Sequence, residues 1–229
     1  MVERRSDDLL RSRIRFSSLD EHLFVHSAYP TEHRDSVFFG PDTYRFCAAL
    51  EHARGRRVVD LGAGTGAGGI TCANRCERIT LTDCNPLAVA FARVNATLAG
   101  CGDRVEVVIG DMFETVTGDV DLVVSNPPYI ADEAGRRYCD GGDGIGTEVA
   151  LRIIDDSLRT LSKGGTLMLY TGSPIQRGVD PVREAARRLV GSRVWTYREL
   201  DPDVFGEELD RDAYRDVERI AAVLLTVTV

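Results

Sequence analysis

The sequence predicts an α/β fold: a mostly parallel seven-stranded sheet that ends in an antiparallel edge hairpin. Three observations carry the prediction. From about residue 56 onward, short β-branched runs alternate with longer helical patterns, as strand–helix–strand units do. The first five runs are separated by stretches long enough for the crossovers that parallel neighbours require. The last two runs, 193–200 and 219–229, are joined by a segment without an apolar helical stripe, so they read as an antiparallel pair.

In chain order, residues 1–52 hold all four histidines and several aromatics. They read as a short N-terminal helical flank or lid: one or two short helices, a loop over 29–41, and a helix from about Asp42 to His52. Residues 53–229 form the main domain. Its strands are expected at 56–61, 78–83, 105–109, 120–125 and 165–170 before the edge pair, and its helices at 68–75, 86–99, 147–161 and 181–190. Pro86 suits a first helical turn, where its missing N–H costs nothing, and Gly100 suits a helix stop.

Composition narrows the function classes. The chain carries 28 Lys and Arg against 36 Asp and Glu, a formal charge of −8 over 229 residues. Such a chain lacks the net positive field that gives non-specific affinity for nucleic acid. Its longest apolar stretches, such as 223–229, fall far short of a membrane span. Residues 1–15 hold five arginines and no apolar core, unlike a secretory signal. Six cysteines without a CxxC pair fit reduced thiols and a cytoplasmic location.

The first predicted strand runs into a glycine turn and then a helix, Val58-Val59-Asp60-Leu61-Gly62-Ala63-Gly64-Thr65-Gly66. Glycines there allow a sharp turn and close approach of a ligand. Gly64, Gly66 and Gly69 also satisfy a GxGxxG spacing with Asp83 downstream, so spacing alone admits a nicotinamide dinucleotide. Charge separates the ligands. A pyrophosphate would meet a like charge at Asp60, whereas S-adenosyl-L-methionine brings an ammonium and a sulfonium, which a carboxylate attracts. Asp83, ending the second strand, can accept from both ribose hydroxyls. Asp111, after the third, can take the adenine amino group with Met112 against the ring. Three carboxylates thus fall at the carboxyl ends of three successive strands, the edge where open α/β sheets bind ligands.

The fourth strand ends Ser125-Asn126-Pro127-Pro128-Tyr129. Consecutive prolines remove two backbone donors and stiffen the chain. The Asn126 side-chain carbonyl and the Pro127 carbonyl can together accept both hydrogens of a planar NH₂, and Tyr129 offers a flat face for stacking. These three are the candidate catalytic residues.

The glycine loop 60–66 followed by the Asn-Pro-Pro-Tyr corner at 126–129 resembles the class I S-adenosylmethionine-dependent methyltransferases that modify exocyclic or amide nitrogens. Within these the chain is most similar to the HemK-type protein-glutamine N5-methyltransferases and their small-domain relatives. Further matches are Gly40-Pro41-Asp42-Thr43, Asp83-Cys84-Asn85-Pro86-Leu87-Ala88 and Asp140-Gly141-Gly142-Asp143-Gly144, in consistent order over about residues 37–175. The resemblance implies a Rossmann-like fold, S-adenosyl-L-methionine as cofactor and methyl transfer to nitrogen. It adds Thr43 and Cys84 to a cofactor site of Asp60, Gly62, Gly64, Thr65, Gly66, Asp83, Asp111, Met112 and Asn126.

Three departures bear on the acceptor. Gly40 stands where those enzymes carry arginine. Thr171-Gly172 replace an acidic residue after the fifth strand, and about forty residues precede the core where they have a helical domain. The acceptor stays open between a protein glutamine and a small molecule. Two alternatives remain: an adenine-N6 nucleic-acid methyltransferase, which the acidic balance disfavours, and a non-catalytic cofactor-binding partner subunit.

Other groups read as structural. His22 and His26, and likewise Cys72 and Cys76, sit four apart without a nearby third ligand, so no metal site is expected. Phe38, Phe39 and Tyr44 are candidates to close over the methionine end of the cofactor. Segment 199–218 holds nine acidic and two basic residues and reads as a solvated loop, or as an attractor of cationic partners.

Overall fold

The computed structural model describes residues 2–4 and 9–229. Its centre is one seven-stranded sheet. The strands are β5 (Gly55–Leu61), β6 (Cys76–Asp83), β7 (Val105–Ile109), β8 (Val120–Ser125), β9 (Leu161–Ile175), β10 (Val194–Asp201) and β11 (Arg219–Thr228), in the spatial order β7-β6-β5-β8-β9-β11-β10. The first five are parallel, and β11 runs antiparallel between β9 and β10. The expected fold class is the observed one.

The sheet is sealed on both faces, and side-chain alternation sorts the strands between them. Val58, Leu81, Leu122 and Val124 join the cluster under helices α1 (Pro41–Ala49), α2 (Ala67–Cys72) and α3 (Pro86–Leu98). Their neighbours Val59, Leu61, Val123 and Leu167 face the other way, toward α5 (Glu148–Thr160) and α6 (Pro181–Val190). A short turn, α4 (Asp143–Gly146), precedes α5. A strand covered on both faces is apolar throughout, and β8 reads that way: Leu122, Val123 and Val124 are at most 2 % exposed. Helix starts follow local chemistry. The Asn85 side chain accepts from the Leu87 N–H with Pro86 at the first turn of α3, and Asp180 does the same for Arg183 in α6.

The chain leaves β5 toward β6 on one side, while β8 returns on the other, so the connections diverge at the β5–β8 boundary. A crevice opens above the strand ends at such a point.

The first part of the chain corrects the sequence reading. Residues 10–27 are strands, not helices. β1 (Val2–Arg4) pairs with β2 (Leu10–Ser12), and β3 (Ile14–Leu19) forms a hairpin with β4 (His22–Ser27). Ile14, Phe16 and Ser18 share a face with their partners Ser27, Val25 and Leu23. Ile14 and Val25 pack that face against Ala88 and Phe91 of α3, while Phe16 and Leu23 stay exposed. His22 and His26 lie on one face of β4, since residues four apart share a strand face as they share a helix face. The expected helix from Asp42 is present as α1.

The His26 ring is 1 % exposed, stacked on Phe39 at 5.4 Å, and bonded to Ser17 Oγ and the Ser27 carbonyl. Cys72 is buried, which pushes its thiol up to about 12. Among the described residues no three His, Cys, Asp or Glu side chains gather as metal ligands, and no helix is long and apolar enough to cross a membrane.

Candidate active site

The crevice is a cleft of about 390 Å³ over the carboxyl ends of β5, β6, β7 and β8. Its floor is the glycine loop. Gly66 has φ +80°, and a Cβ there would stand 2.8 Å from Leu81 Cδ1, so glycine is required twice over. Asp60 ends β5 beneath the loop. It is 1 % exposed, and its Oδ2 accepts from the Gly69 N–H at 2.8 Å. Burial pushes its carboxyl up to about 7, with Asp83 adding repulsion and the Gly69 N–H opposing. Asp60 is thus a buried carboxyl whose proton is held toward neutral pH, where the sequence suggested a simple fixed anion.

Asp83 ends β6 with Oδ2 accepting from the Gly64 N–H and Oδ1 from the Asn85 N–H, each at 2.8 Å. Burial raises its pKa despite those donors. Asp111 follows β7 at the rim, 2.8 Å from the Arg152 guanidinium. Met112 beside it adopts φ +47° and packs against the α5 face of the core. Thr43 receives the Gly40 N–H on Oγ1 at 3.3 Å at the start of α1. The Thr65 carbonyl takes Asn95 Nδ2 at 2.9 Å. Cys84 sits at the lip, its carbonyl 3.1 Å from an Arg137 donor.

All expected cofactor residues line this one cleft except Gly66, whose role is to turn the backbone. Of the three aromatics proposed as a cover, Phe38 lines it. Phe39 is instead buried between Phe24 and His26, and Tyr44 is exposed with its hydroxyl on the Ser18 carbonyl. Sequence reasoning missed Tyr138 and Arg137, which reach the cleft from the loop after the corner. Tyr138 stacks on Phe38 at 5.5 Å and 7°. Tertiary pairing of segments a hundred residues apart leaves no local signal.

The corner at the end of β8 is held from below, where Ser125 Oγ donates to the Leu61 carbonyl at 2.7 Å. Asn126, Pro127 and Pro128 line the cleft. Among the described residues, neither the Asn126 side chain nor the Pro127 carbonyl has a hydrogen-bond partner.

Tyr129 departs from expectation. Its ring is 5 % exposed and turned away from the cleft, so it presents no open face for stacking. The ring fits against Gly172, where a Cβ would stand 2.2 Å from Cδ2, and near Phe205 at 6.1 Å. Its hydroxyl donates to Asp42 Oδ2. Asp42 itself was overlooked: a carboxylate in the first turn of a helix reads as ordinary capping chemistry.

Segment 199–218 is likewise more than a solvated loop. Val204 and Tyr214 are buried, and Tyr214 Oη accepts the Ala131 N–H at 2.7 Å. Arg211 reaches the Ala131 carbonyl at 3.0 Å and Asp132 at 3.2 Å. Together with Arg136, it holds the Asp132 carboxyl well below the usual range. Asp203, Glu207, Asp210, Asp212 and Asp216 stay exposed, while Glu208 turns in to pair with Arg211 and Asp201 pairs with Arg45, and the segment clamps the chain after the corner.

The cleft fits an adenosyl sulfonium compound. Gly62 and Gly64 both have positive φ, and a Cβ on either would meet nothing within 4 Å, so the loop backbone lies open to a ligand. The carboxylates of Asp60, Asp83 and Asp111 line that space, a set of acceptors suited to hydroxyls and cations and unsuited to a pyrophosphate.

Sheet order, loop and corner define a Rossmann-like methyltransferase fold. The crystal structure of Trm5 from Methanocaldococcus jannaschii in complex with adenosine matches 96 % of this chain and 57 % of its own at TM-score 0.67 and 17 % identity, a likeness of fold. The chain belongs to the methyltransferase small domain family, which matches residues 41–177. It is 34 % identical over 168 residues to the release factor glutamine methyltransferase of Cereibacter sphaeroides, covering 67 % of this chain and 60 % of that relative. It is 42 % identical over 163 residues to the release factor glutamine methyltransferase of Bordetella pertussis, covering 66 % and 59 %. The chain therefore spans about three fifths of the length of these relatives.

Proposed function

We propose that this protein is an S-adenosyl-L-methionine-dependent N-methyltransferase whose acceptor is a planar amide nitrogen, that of a protein glutamine. The observation that carries the reading is the pair of unpartnered acceptors, the Asn126 side chain and the Pro127 carbonyl, on the wall of a cleft rimmed by three carboxylates.

When bound, the cofactor supplies an activated methyl on a positively charged sulfur. Asp83 and the glycine-loop backbone would hold its ribose, Asp111 with Met112 its adenine, and Asp60 would lie under its cationic end. The work left to the protein is on the nitrogen. An amide lone pair is delocalised into the carbonyl. Two acceptors on its hydrogens return electron density to nitrogen and stabilise the positive charge that develops there. The rigid prolines keep both acceptors in place, so little reorganisation is needed at the moment of reaction. The methylated nitrogen is acidic and gives up a proton without a dedicated base.

The names of the relatives support a protein glutamine as acceptor, and the absence of a net positive charge favours it over nucleic acid. All six cysteines are free, which supports a reducing, cytoplasmic setting. The test is incubation with deuterated-methyl cofactor and glutamine-containing protein or peptide acceptors, read by mass spectrometry. A three-deuterium methyl on a glutamine side chain is expected. Label appearing only on nucleic acid or a metabolite would refute the acceptor, and label nowhere would refute the reaction.

A further inference from the structure

Three side chains from three elements converge on the Asp42 carboxylate. Tyr129 donates to Oδ2 from the corner, Tyr170 to Oδ1 at 2.8 Å from β9, and Arg45 stands 3.4 Å from Oδ1 one turn along α1. Arg45 in turn closes on Asp201 Oδ2, at the end of β10, at 2.6 Å. Asp42 is 5 % exposed, and burial raises its pKa against all three donors. A carboxylate taken out of water is costly unless its oxygens stay hydrogen-bonded. Displacing Tyr129 therefore strips a buried acceptor, and displacing α1 strips two buried phenols.

The other side of the corner is pinned as well. The Ala131 N–H and carbonyl are held by Tyr214 and Arg211. Asn126 and Pro127 lie between Ser125, fixed to β5, and Tyr129, fixed to Asp42. They have no side-chain ties of their own among the described residues. Neither Asp42 nor Tyr129 lines the cleft.

We propose that Asp42 is a positioning residue for the reaction: through Tyr129 it sets where the Asn126 side chain and the Pro127 carbonyl stand against the acceptor nitrogen. Arg45 holds it there from Asp201. The inference rests on the transfer reaction proposed above and concerns a residue that touches neither cofactor nor acceptor. Gly172 belongs to the same device, because only glycine leaves room for the Tyr129 ring.

The test compares Asp42→Asn, which keeps size and removes the charge, with Tyr129→Phe, which keeps the ring and removes the hydroxyl, and with the double variant. Each is read by amide hydrogen exchange over residues 129–132, by calorimetric affinity for S-adenosyl-L-methionine, and by kcat on a glutamine peptide. Each single variant is expected to speed exchange at Ile130 and Ala131 about tenfold and to lower kcat about tenfold, with cofactor affinity within about threefold of the parent. The double variant is expected to match the worse single one within about threefold, since both remove one interaction. Exchange and kcat within about twofold of the parent, or a double variant equal to the product of the singles, would overturn the proposal. Should Asp42→Asn not fold, Tyr129→Phe decides by the same readings. Should the parent transfer no methyl to the peptide, exchange alone decides the positioning role, and the failure belongs to the proposed reaction.

Discussion

The Gly64 amide donates to Asp83 Oδ2 across 2.8 Å, tying the carboxylate at the end of β6 to the loop at the end of β5. The carboxylate is therefore oriented before a ligand arrives, with its remaining lone pairs free for the ribose. Asp83→Asn keeps the shape and removes the charge. A charge-assisted hydrogen bond contributes about 1.5–3 kcal/mol, so this variant is expected to weaken cofactor binding roughly 10- to 100-fold by calorimetry.

Asn126→Ala removes one of the two acceptors on the nitrogen and breaks no side-chain hydrogen bond among the described residues, so stability and cofactor affinity should hold. Loss of one preorganised transition-state contact costs roughly 10²–10³ in kcat in comparable sites, and a loss of that order is expected in single-turnover transfer. A variant with full activity would remove Asn126 from the chemistry.

Asp60 gives cofactor binding a pH dependence. Its pKa of about 7 means that a cationic ligand beside it favours the ionised form and releases a proton below that pH. Affinity should climb as pH rises toward 7, by up to about tenfold per unit well below the pKa, and level off above it. For the free protein the sign is opposite. The neutral form is the one burial tolerates, so this contribution to stability is complete below the ordinary carboxyl pKa and is lost as pH rises through 7. Titration calorimetry in two buffers of different ionisation heat reads the released proton directly.

Gly172→Ala places a methyl 2.2 Å from the Tyr129 ring, which must move. Overpacking of this kind costs about 1–3 kcal/mol, and a chain of this length loses about 2–4 °C in Tm per kcal/mol. A thermal melt should show that loss together with reduced transfer, since the displaced ring carries the corner with it.

The parts of the fold that were legible were those whose signal is local in the sequence. Val58, Val59 and Leu61 before the glycines, and Leu122 to Val124 before Asn126, announce buried strands by continuous apolar runs. The aspartates follow from where those strands end. What stayed hidden depends on partners distant in sequence. Tyr129 looks like a stacking face until Asp42, 87 residues earlier, is brought to its hydroxyl. Tyr214 and Arg211 look like loop residues until Ala131 is placed beside them. The β3–β4 hairpin stayed hidden because its strands are short and their stability comes from packing on α3, far along the chain.

The most direct measurement is calorimetric titration of the purified protein with S-adenosyl-L-methionine and, in parallel, with NAD. Saturable one-to-one binding of the sulfonium compound is predicted, weakened in Asp83→Asn, with no heat from the dinucleotide. A silent titration at saturating concentration, or preference for NAD, would contradict the account whatever the fold.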